Sequence, residues 1–234
     1  MAERIAKFLG RAGVCSRRQA EQLIVEGRVK VDGLLLSTPA TLVDETSKVE
    51  VDGKPVAPPL KTRVWCYYKP AGYLTTHHDP QGRPTVFEDL RAHNLPRVIS
   101  VGRLDLNSEG LLLLTNDGAF SRYAELPKTG WARCYKVRVY GRLDITALQA
   151  LKNGITIEDI HYGRIDVKVL GHSTGQMNNW LLITLFEGKN REIRKVMNYL
   201  GLRVNRLIRQ SYGPFELGNL EPHQLLEVSS ILID

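Results

Sequence analysis

The segment Gly102–Gly110 reads GRLDLNSEG and runs directly into the four leucines Leu111–Leu114, which end at an Asn-Asp-Gly turn. Four leucines are too few for an independent helix, so the run predicts a buried strand with a polar loop before it. A loop carboxylate held by a buried strand is a common way to position one reactive group, so Asp105 is a candidate catalytic residue. Loop aspartates more often form Asx-turns or cap helices, and the pattern alone leaves this alternative open.

Length and charge restrict the class of protein. The chain has 234 residues, enough for one medium domain and a small one, and its formal net charge of +7 favours a polyanionic partner such as nucleic acid. Its apolar runs are far shorter than the ~20 residues of a membrane span, and its N-terminus lacks the apolar region of a secretory signal. Cys15, Cys66 and Cys134 are widely spaced and odd in number, which argues against a disulfide framework and fits a cytoplasmic location.

The N-terminal segment predicts two helices followed by short strands. Apolar residues from Ile5 to Ala12 follow helical spacing, and Ser16 with Gln19 has the spacing of a capping box. Two Val-x-Val-Asp-Gly repeats, at 29–33 and 49–53, predict strands that enter turns. Basic residues outnumber acids here, which makes phosphate contact as plausible as the alternative of a solvated helix surface. The RNA-binding candidates of this segment are Arg4, Lys7, Arg11, Ser16, Arg17, Arg18, Arg28 and Lys30.

The paired prolines within residues 57–62 predict a linker to a larger unit. In that unit, strand patterns and helical patterns occur without a regular alternation, which favours an α+β fold with a largely antiparallel sheet. The predicted strands are 64–68, 135–140, 165–170 and 181–186, and the predicted helices are 119–125, 146–153 and 191–200.

The last of these helices carries the most charge. Asn190 is a suitable N-cap and Gly201 a suitable C′ residue, and Arg194 lies at the flank of the apolar stripe. An arginine there either reaches a neighbouring cleft or extends to water, and spacing alone favours water. The surrounding segment is a second candidate RNA surface. Its seven bases, against the single acid Glu192, are Lys189, Arg191, Arg194, Lys195, Arg203, Arg206 and Arg209.

The sequence lacks the phosphate-binding glycine motifs of nucleotide enzymes, the His-x-x-x-His pair of zinc hydrolases and the serine nucleophile elbow. His77-His78-Asp79 superficially suggests metal ligands, but adjacent residues rarely direct their side chains at one ion, so a solvated loop is the favoured interpretation. No metal and no cofactor is therefore expected.

Two stretches near the N-terminus resemble the S4 RNA-binding domain. They are AGVCSRRQAE at 12–21 and EGRVKVDG at 26–33. The resemblance implies a small S4 domain at residues 2–61, with its core at 2–48, that binds RNA.

Four ordered motifs in the rest of the chain resemble those of the pseudouridine synthases. They are YKPAG at 68–72, RLD at 103–105 with the leucine run, CYKV at 134–137 and EGKNREIRK at 187–195. Together with the S4 unit, they make the chain similar to the bacterial group of synthases that modify ribosomal RNA of the small or the large ribosomal particle. The segments 78–87 and 204–209 look most like the branch known as synthase B, which acts on 23S rRNA.

This resemblance implies a catalytic domain at residues 62–234 with a mixed, largely antiparallel sheet flanked by helices. It implies isomerisation of uridine to pseudouridine in ribosomal RNA, most of all 23S rRNA, without a cofactor or a membrane, by a cytoplasmic monomer. Asp105 would start glycosidic cleavage, as nucleophile or base, Tyr135 would stack on the uracil, and Arg194 would form an ion pair with Asp105. The substrate-binding candidates are Arg103, Leu207 and Lys69, and the RNA-binding candidates of this domain are Lys189, Arg191, Lys195 and Arg206.

Three alternatives remain. The same chemistry could act on 16S rRNA, or the chain could be a non-catalytic RNA-binding factor in ribosome assembly. A more remote alternative is a nucleoside hydrolase, since one carboxylate at C1′ could also serve hydrolysis.

Overall fold

The computed structural model describes residues 2–171 and 177–228. The chain forms two compact units. The first comprises the described residues of Met1–Arg63 together with Leu95–Ile99 and Thr115–Gly118. The second comprises Val64–Asn94, Ser100–Leu114 and the described residues of Ala119–Asp234. Among the described residues, the helices are all too short or too polar to cross a membrane.

The first unit packs two helices against short strands. Its elements are β1 (Glu3–Arg4), α1 (Ile5–Arg11), α2 (Arg17–Val25), β2 (Val29–Val31), β3 (Leu34–Leu35), β4 (Leu42–Val43), β5 (Val49–Val51) and β6 (Lys54–Pro55). Strands β3, β2, β5 and β6 form a four-stranded antiparallel sheet, and β1 pairs with β4. Ile5, Leu9, Ala20 and Ile24 are almost fully buried in its core, as their helical spacing predicts.

The capping box predicted at the start of α2 is confirmed. The Gln19 N–H donates to Ser16 Oγ at 3.2 Å, and the Ser16 N–H donates to the Gln19 side chain at 2.9 Å. These reciprocal bonds satisfy amides at the helix start that have no partner within the helix. Ser16 therefore has a structural role, and the two arginines that follow it lie in the exposed first turn of α2.

The second unit is a mixed α+β structure built on a nine-stranded sheet. Its strands are β7 (Val64–Lys69), β8 (Ile99–Ser100), β9 (Glu109–Thr115), β10 (Arg133–Tyr140), β11 (Ile155–Ile157), β12 (Ile160–Tyr162), β13 (Ile165–Leu170), β14 (Asn178–Leu185), β15 (Arg203–Tyr212), β16 (Phe215–Glu216) and β17 (Leu225–Glu227). Its helices are α3 (Val86–Asp89), α4 (Gly118–Glu125), α5 (Ile145–Ala150) and α6 (Glu192–Tyr199).

The order along the sheet is β13-β14-β10-β15-β9-β7-β17, with β16 beside β15 and β8 beside β9, while β11 and β12 form a separate hairpin. The sheet pairings of β10, β13, β14 and β17 are antiparallel, and β15 runs parallel to β9. The predicted α+β class with a largely antiparallel sheet is therefore confirmed.

The leucine run forms the predicted buried strand. Leu111–Leu114 are all 0% exposed in β9, on both faces of the sheet. Gly110 precedes them with φ +98°, and a Cβ built on it would meet the backbone of Arg209, 2.7 Å from its nitrogen. Only glycine combines this backbone conformation with so close an approach. The close approach joins β9 to β15 directly after the loop that carries Asp105.

Helix α6 begins differently from the prediction. It starts at Glu192, and its N-cap is Arg191 in the left-handed conformation, with φ 52° and ψ 30°, so the prediction of Asn190 as N-cap is wrong. The reason is local, because the Glu192 carboxyl itself accepts the N–H of Lys189 at 3.1 Å and closes the turn. The predicted end is correct, since Gly201 adopts φ 73° just after the helix.

Candidate active site

A cavity of about 810 Å³ opens in the second unit between the Asp105 loop, strands β10 and β15, and the start of α6. Asp105, Tyr135, Arg194, Arg103 and Leu207 all line it, although they are far apart in sequence. Lys189 and Arg191 also line it, whereas Lys195 and Arg206 do not. The sheet explains part of this convergence, because Tyr135 on β10 pairs with Arg209 on β15, two residues from Leu207.

The loop that carries Asp105 is held by its backbone. Every carbonyl from Leu104 to Ser108 accepts a hydrogen bond. The Thr75 hydroxyl donates to the Leu104 carbonyl at 2.9 Å, and the Gly72 N–H donates to the Leu106 carbonyl at 2.8 Å. Arg194 donates to the Asn107 carbonyl at 2.9 Å. The loop also closes on itself, since the Ser108 N–H donates to the Asp105 carbonyl at 3.0 Å. A backbone with its acceptors satisfied in this way holds one conformation.

Lys69 supplies the centre of this network. It is 0% exposed, and its Nζ lies 2.7 Å from the Ser108 carbonyl, 3.1 Å from that of Asp105 and 3.0 Å from that of Pro70. Burial lowers its pKa to about 8. The structure corrects the expectation that Lys69 binds substrate, because the ammonium group is enclosed by backbone carbonyls and holds the loop.

The Asp105 carboxylate is partly exposed, with 35% of its side chain accessible. Its ion pair is with Arg191, whose Nη1 lies 3.7 Å from Asp105 Oδ2. Among the described residues, its carboxylate accepts no backbone N–H, so the Asx-turn alternative does not apply. The side chain points to the cavity while the main chain of the loop makes the structural contacts.

Arg194 contacts the same loop in a different way from the expected ion pair. Its Nη2 donates to the Asn107 carbonyl and its Nη1 to the Val204 carbonyl, at 2.9 and 3.3 Å. Burial, followed by the charge of Arg191, lowers the pKa of Arg194, and Asp105 opposes this effect. The expected ion pair of Arg194 with Asp105 is therefore corrected. Arg194 holds the loop by its bonds to backbone carbonyls, and its positive charge lies near Asp105. Arg191 makes the direct ion pair with Asp105, from the turn that precedes α6.

The sheet supplies the apolar wall of the cavity. Alternation along β10 puts Arg133, Tyr135 and Val137 on its buried face, with Tyr135 only 9% exposed. Leu207 on β15 is 7% exposed and lines the same cavity. An aromatic ring and an aliphatic side chain at one cavity suit a flat heterocycle.

Sequence reasoning missed a buried polar group beside this wall. Arg133 donates to the Tyr212 hydroxyl at 2.9 Å, and the guanidinium carbons of Arg133 and Arg209 lie 4.6 and 5.0 Å from the Tyr212 ring centroid. Arg209 is 3% exposed and donates to the Leu111 carbonyl, so it does not belong to an RNA surface. The strand alternation that buries Tyr135 could have identified Arg133, two residues before it.

Comparison with known proteins agrees with this geometry. The family model described as RNA pseudouridylate synthase matches residues 63–199, and the model of the S4 domain matches residues 3–49. An uncharacterized RNA pseudouridine synthase of Rickettsia felis is 49% identical over 232 residues, which cover 99% of each chain. The chain belongs to the RNA pseudouridine synthase family.

Other relatives of this synthase carry more specific names. Ribosomal large subunit pseudouridine synthase B of Pasteurella multocida is 43% identical over 92% of this chain and 63% of that protein. The enzyme of the same name from Salmonella typhimurium is 41% identical over 93% of this chain and 76% of that protein. A crystal structure of a pseudouridylate synthase has the same fold, with a TM-score of 0.69 over 98% of this chain and 97% of that chain at 22% identity.

The basic RNA-binding candidates of the first unit of the synthase fall into two groups. Lys7 and Arg11 form ion pairs with Glu3, and Arg28 forms ion pairs with Asp52 and Glu26. Arg4, Arg17, Arg18 and Lys30 are exposed and make none of the ion pairs among the described residues. The second group has its charge available for an anion.

The basic candidates of the second unit of the synthase divide in a similar way. Lys189 pairs with Glu187, and Arg206 makes two bonds to Glu109 at 2.7 and 2.9 Å. Lys195 is exposed, as is Arg103 at the cavity. The His77-His78-Asp79 segment has other contacts, because His77 stacks on Phe87 and Asp79 pairs with Arg83.

Proposed function

We propose that this enzyme isomerises specific uridines to pseudouridine in 23S ribosomal RNA. The single observation that carries the proposal is the position of the Asp105 carboxylate at a cavity with an aromatic wall, on a loop whose carbonyls from Leu104 to Ser108 all accept hydrogen bonds. The names of relatives at 41–43% identity support the 23S target.

The reaction breaks the N1–C1′ bond of uridine, rotates the base and joins C5 to C1′. The proton on C5 leaves and N1 takes up a proton, so the product is an isomer of uridine. It has no net redox change and consumes no water, so the reaction itself calls for neither an electron carrier nor a water-activating metal. Asp105 acts either as nucleophile at C1′ or as the base that removes the 2′ proton. Both roles require the ionised carboxylate, and the guanidinium of Arg191 lies 3.7 Å from it.

Binding of the base uses the cavity wall. We expect Tyr135 to stack on the uracil, which contributes about 1–3 kcal/mol, with Leu207 packing against the base. Extracting the uridine from its helix costs a few kcal/mol. We expect Arg103, which is exposed two residues before Asp105, to fill the vacated stack.

The proposed division is an S4 domain at 2–61, with its core at 2–48, and a catalytic domain at 62–234. The S4 domain would hold the RNA through the exposed bases Arg4, Arg17, Arg18 and Lys30, with the ion-paired Lys7, Arg11 and Arg28 beside them. Lys189, Arg191, Lys195 and Arg206 would contact phosphates near the target. The enzyme would act as a monomer in the cytoplasm, where bacterial ribosomal RNA is made.

The test uses purified full-length enzyme and ribosomal RNA transcripts labelled with uridine tritiated at C5. The proposal expects tritium release to water from the 23S transcript, no release by the Asp105→Asn variant and no free uracil. Release from the 16S transcript alone would move the target to 16S rRNA. Free uracil would indicate a hydrolase, and RNA binding without release from either transcript would indicate a non-catalytic assembly factor.

A further inference from the structure

Glu192 is a buried acid beside the cavity, and the proposed reaction assigns it no step. It is 2% exposed at the first residue of α6 and lines the cavity. One carboxyl oxygen accepts the Lys189 N–H, and the other, Oε1, is buried without a hydrogen-bond partner among the described residues. An ionised carboxylate with an unpaired buried oxygen is costly, whereas a neutral carboxyl tolerates this site better.

The surrounding charges agree with a neutral carboxyl. Burial and the charge of Glu187 raise the pKa of Glu192 to about 7, and Lys189 and Arg133 oppose this rise. Neither base neutralises it directly, because Lys189 is paired with Glu187, and Arg133 donates to the Trp131 carbonyl and the Tyr212 hydroxyl. Glu192 therefore remains largely protonated below neutral pH.

The same carboxyl closes the turn that presents Arg191. The Lys189 N–H donates to Glu192 Oε2 at 3.1 Å, and the Glu192 N–H donates to the Lys189 carbonyl at 3.3 Å. Between these residues, Arg191 has φ 52°, a conformation that side-chain-bearing residues adopt only when their surroundings enforce it. Arg191 in this conformation reaches Asp105 at 3.7 Å.

We propose that Glu192 is a positioning residue of the synthase, whose buried uncharged carboxyl closes the 189–192 turn and thereby holds Arg191 beside Asp105. This inference rests on the proposed function, because the step it supports is the reaction of Asp105. It adds a residue that never touches the uridine. The Lys189 N–H favours the ionised carboxyl, but burial and the charge of Glu187 oppose it more strongly. Ionisation at higher pH therefore drives the unpaired Oε1 out of its buried position and opens the turn, so the rate constant of the chemical step falls as pH rises through neutrality.

The experiment measures kcat and KM for tritium release between pH 5.5 and 9 with the full-length enzyme. Glu192→Gln keeps the size and the hydrogen-bond acceptor without the charge, so it retains activity at pH 6 and loses the decline that starts near pH 7. Its remaining decline begins only near the pKa of Lys69, about 8. Glu192→Ala lowers kcat about tenfold and leaves KM unchanged. Glu216→Ala, which removes an exposed glutamate of the same unit, serves as the matched control.

A double-mutant cycle separates positioning from simple stability. If Glu192 acts through Arg191, then Glu192→Ala with Arg191→Ala is about tenfold slower than wild type, no worse than either single variant. Additive losses would overturn the proposal, and so would a Glu192→Gln variant with an unchanged pH profile or as inactive as Glu192→Ala. Should Glu192→Ala not fold by circular dichroism, the pH profile of Glu192→Gln decides alone. A wild-type enzyme without tritium release contradicts the proposed function instead.

Discussion

Lys69 illustrates how one residue can serve a site without facing it. Its buried ammonium group lies among the carbonyls of Pro70, Asp105 and Ser108, which fixes the loop from behind. The resemblance of the segment 68–72 to a synthase motif implied a substrate contact for this lysine. Lys69 has these backbone partners because β7 packs against the loop. A local sequence pattern does not reveal that long-range packing.

At this scale we predict that Lys69→Met lowers kcat about 100-fold or more, because unpaired carbonyls let the loop shift and small misplacements of a catalytic group are costly. RNA affinity stays within twofold or so, since the phosphate contacts lie elsewhere. Single-turnover tritium release and filter binding measure the two effects. Lys168→Met, on an exposed site of β13, is the control. Full activity of Lys69→Met would show that the loop keeps its conformation without the hydrogen bonds of Lys69, and would contradict this prediction.

At the scale of elements, the leucine run and the capping box were predictable because their causes are local. Four apolar residues ended by a turn can hardly form anything but a buried strand, and Ser16 with Gln19 caps a helix wherever it lies. The start of α6 was not predictable, because Asn190 is an ordinary N-cap by local preference. The N-cap is instead Arg191, in a turn that the carboxyl of Glu192 closes where the fold encloses it.

The parallel contact of β9 with β15 leads to a prediction on Gly110. Gly110→Ala places a Cβ against the Arg209 backbone at a residue with φ +98°. We expect it to lower the free energy of unfolding by about 2–4 kcal/mol and to reduce activity, since overpacking and backbone strain add. Gly53→Ala is the control, because it too has positive φ but meets nothing within 4 Å. Urea unfolding compares them, and equal losses would mean that the close approach contributes nothing.

At the scale of the whole molecule, the sequence predicted two units and an enzyme that acts on RNA. These features were predictable because net charge and motif order can be determined from the sequence alone. The sequence did not predict which basic side chains remain free of ion pairs and so available to bind RNA. Arg11 pairs with Glu3, 8 residues away, and Arg28 pairs with Asp52, 24 residues away, so the fold brings these partners together. The pair of Lys7 with Glu3 spans only four residues. Arg17 and Arg18 remain exposed on the first turn of α2.

We therefore predict that Arg17→Ala with Arg18→Ala weakens RNA binding and reduces the slope of log affinity against log salt by about 1–2, as expected for two lost phosphate contacts. The double variant Arg142→Ala with Arg164→Ala removes the same charge from exposed sites of the second unit and should change the slope less. Binding titrations from 50 to 300 mM salt, or roughly that range, measure it. Equal slopes for both variants would argue against an RNA surface on α2.

The central claim is that Asp105 drives uridine isomerisation in 23S rRNA. The most direct measurement maps pseudouridines in the ribosomal RNA of cells that lack this protein and of the same cells complemented with either wild type or Asp105→Asn. We predict that defined 23S positions lose pseudouridine in the absence of the protein, and that wild type restores them while Asp105→Asn does not. An unchanged 23S map, or restoration by Asp105→Asn, would contradict it.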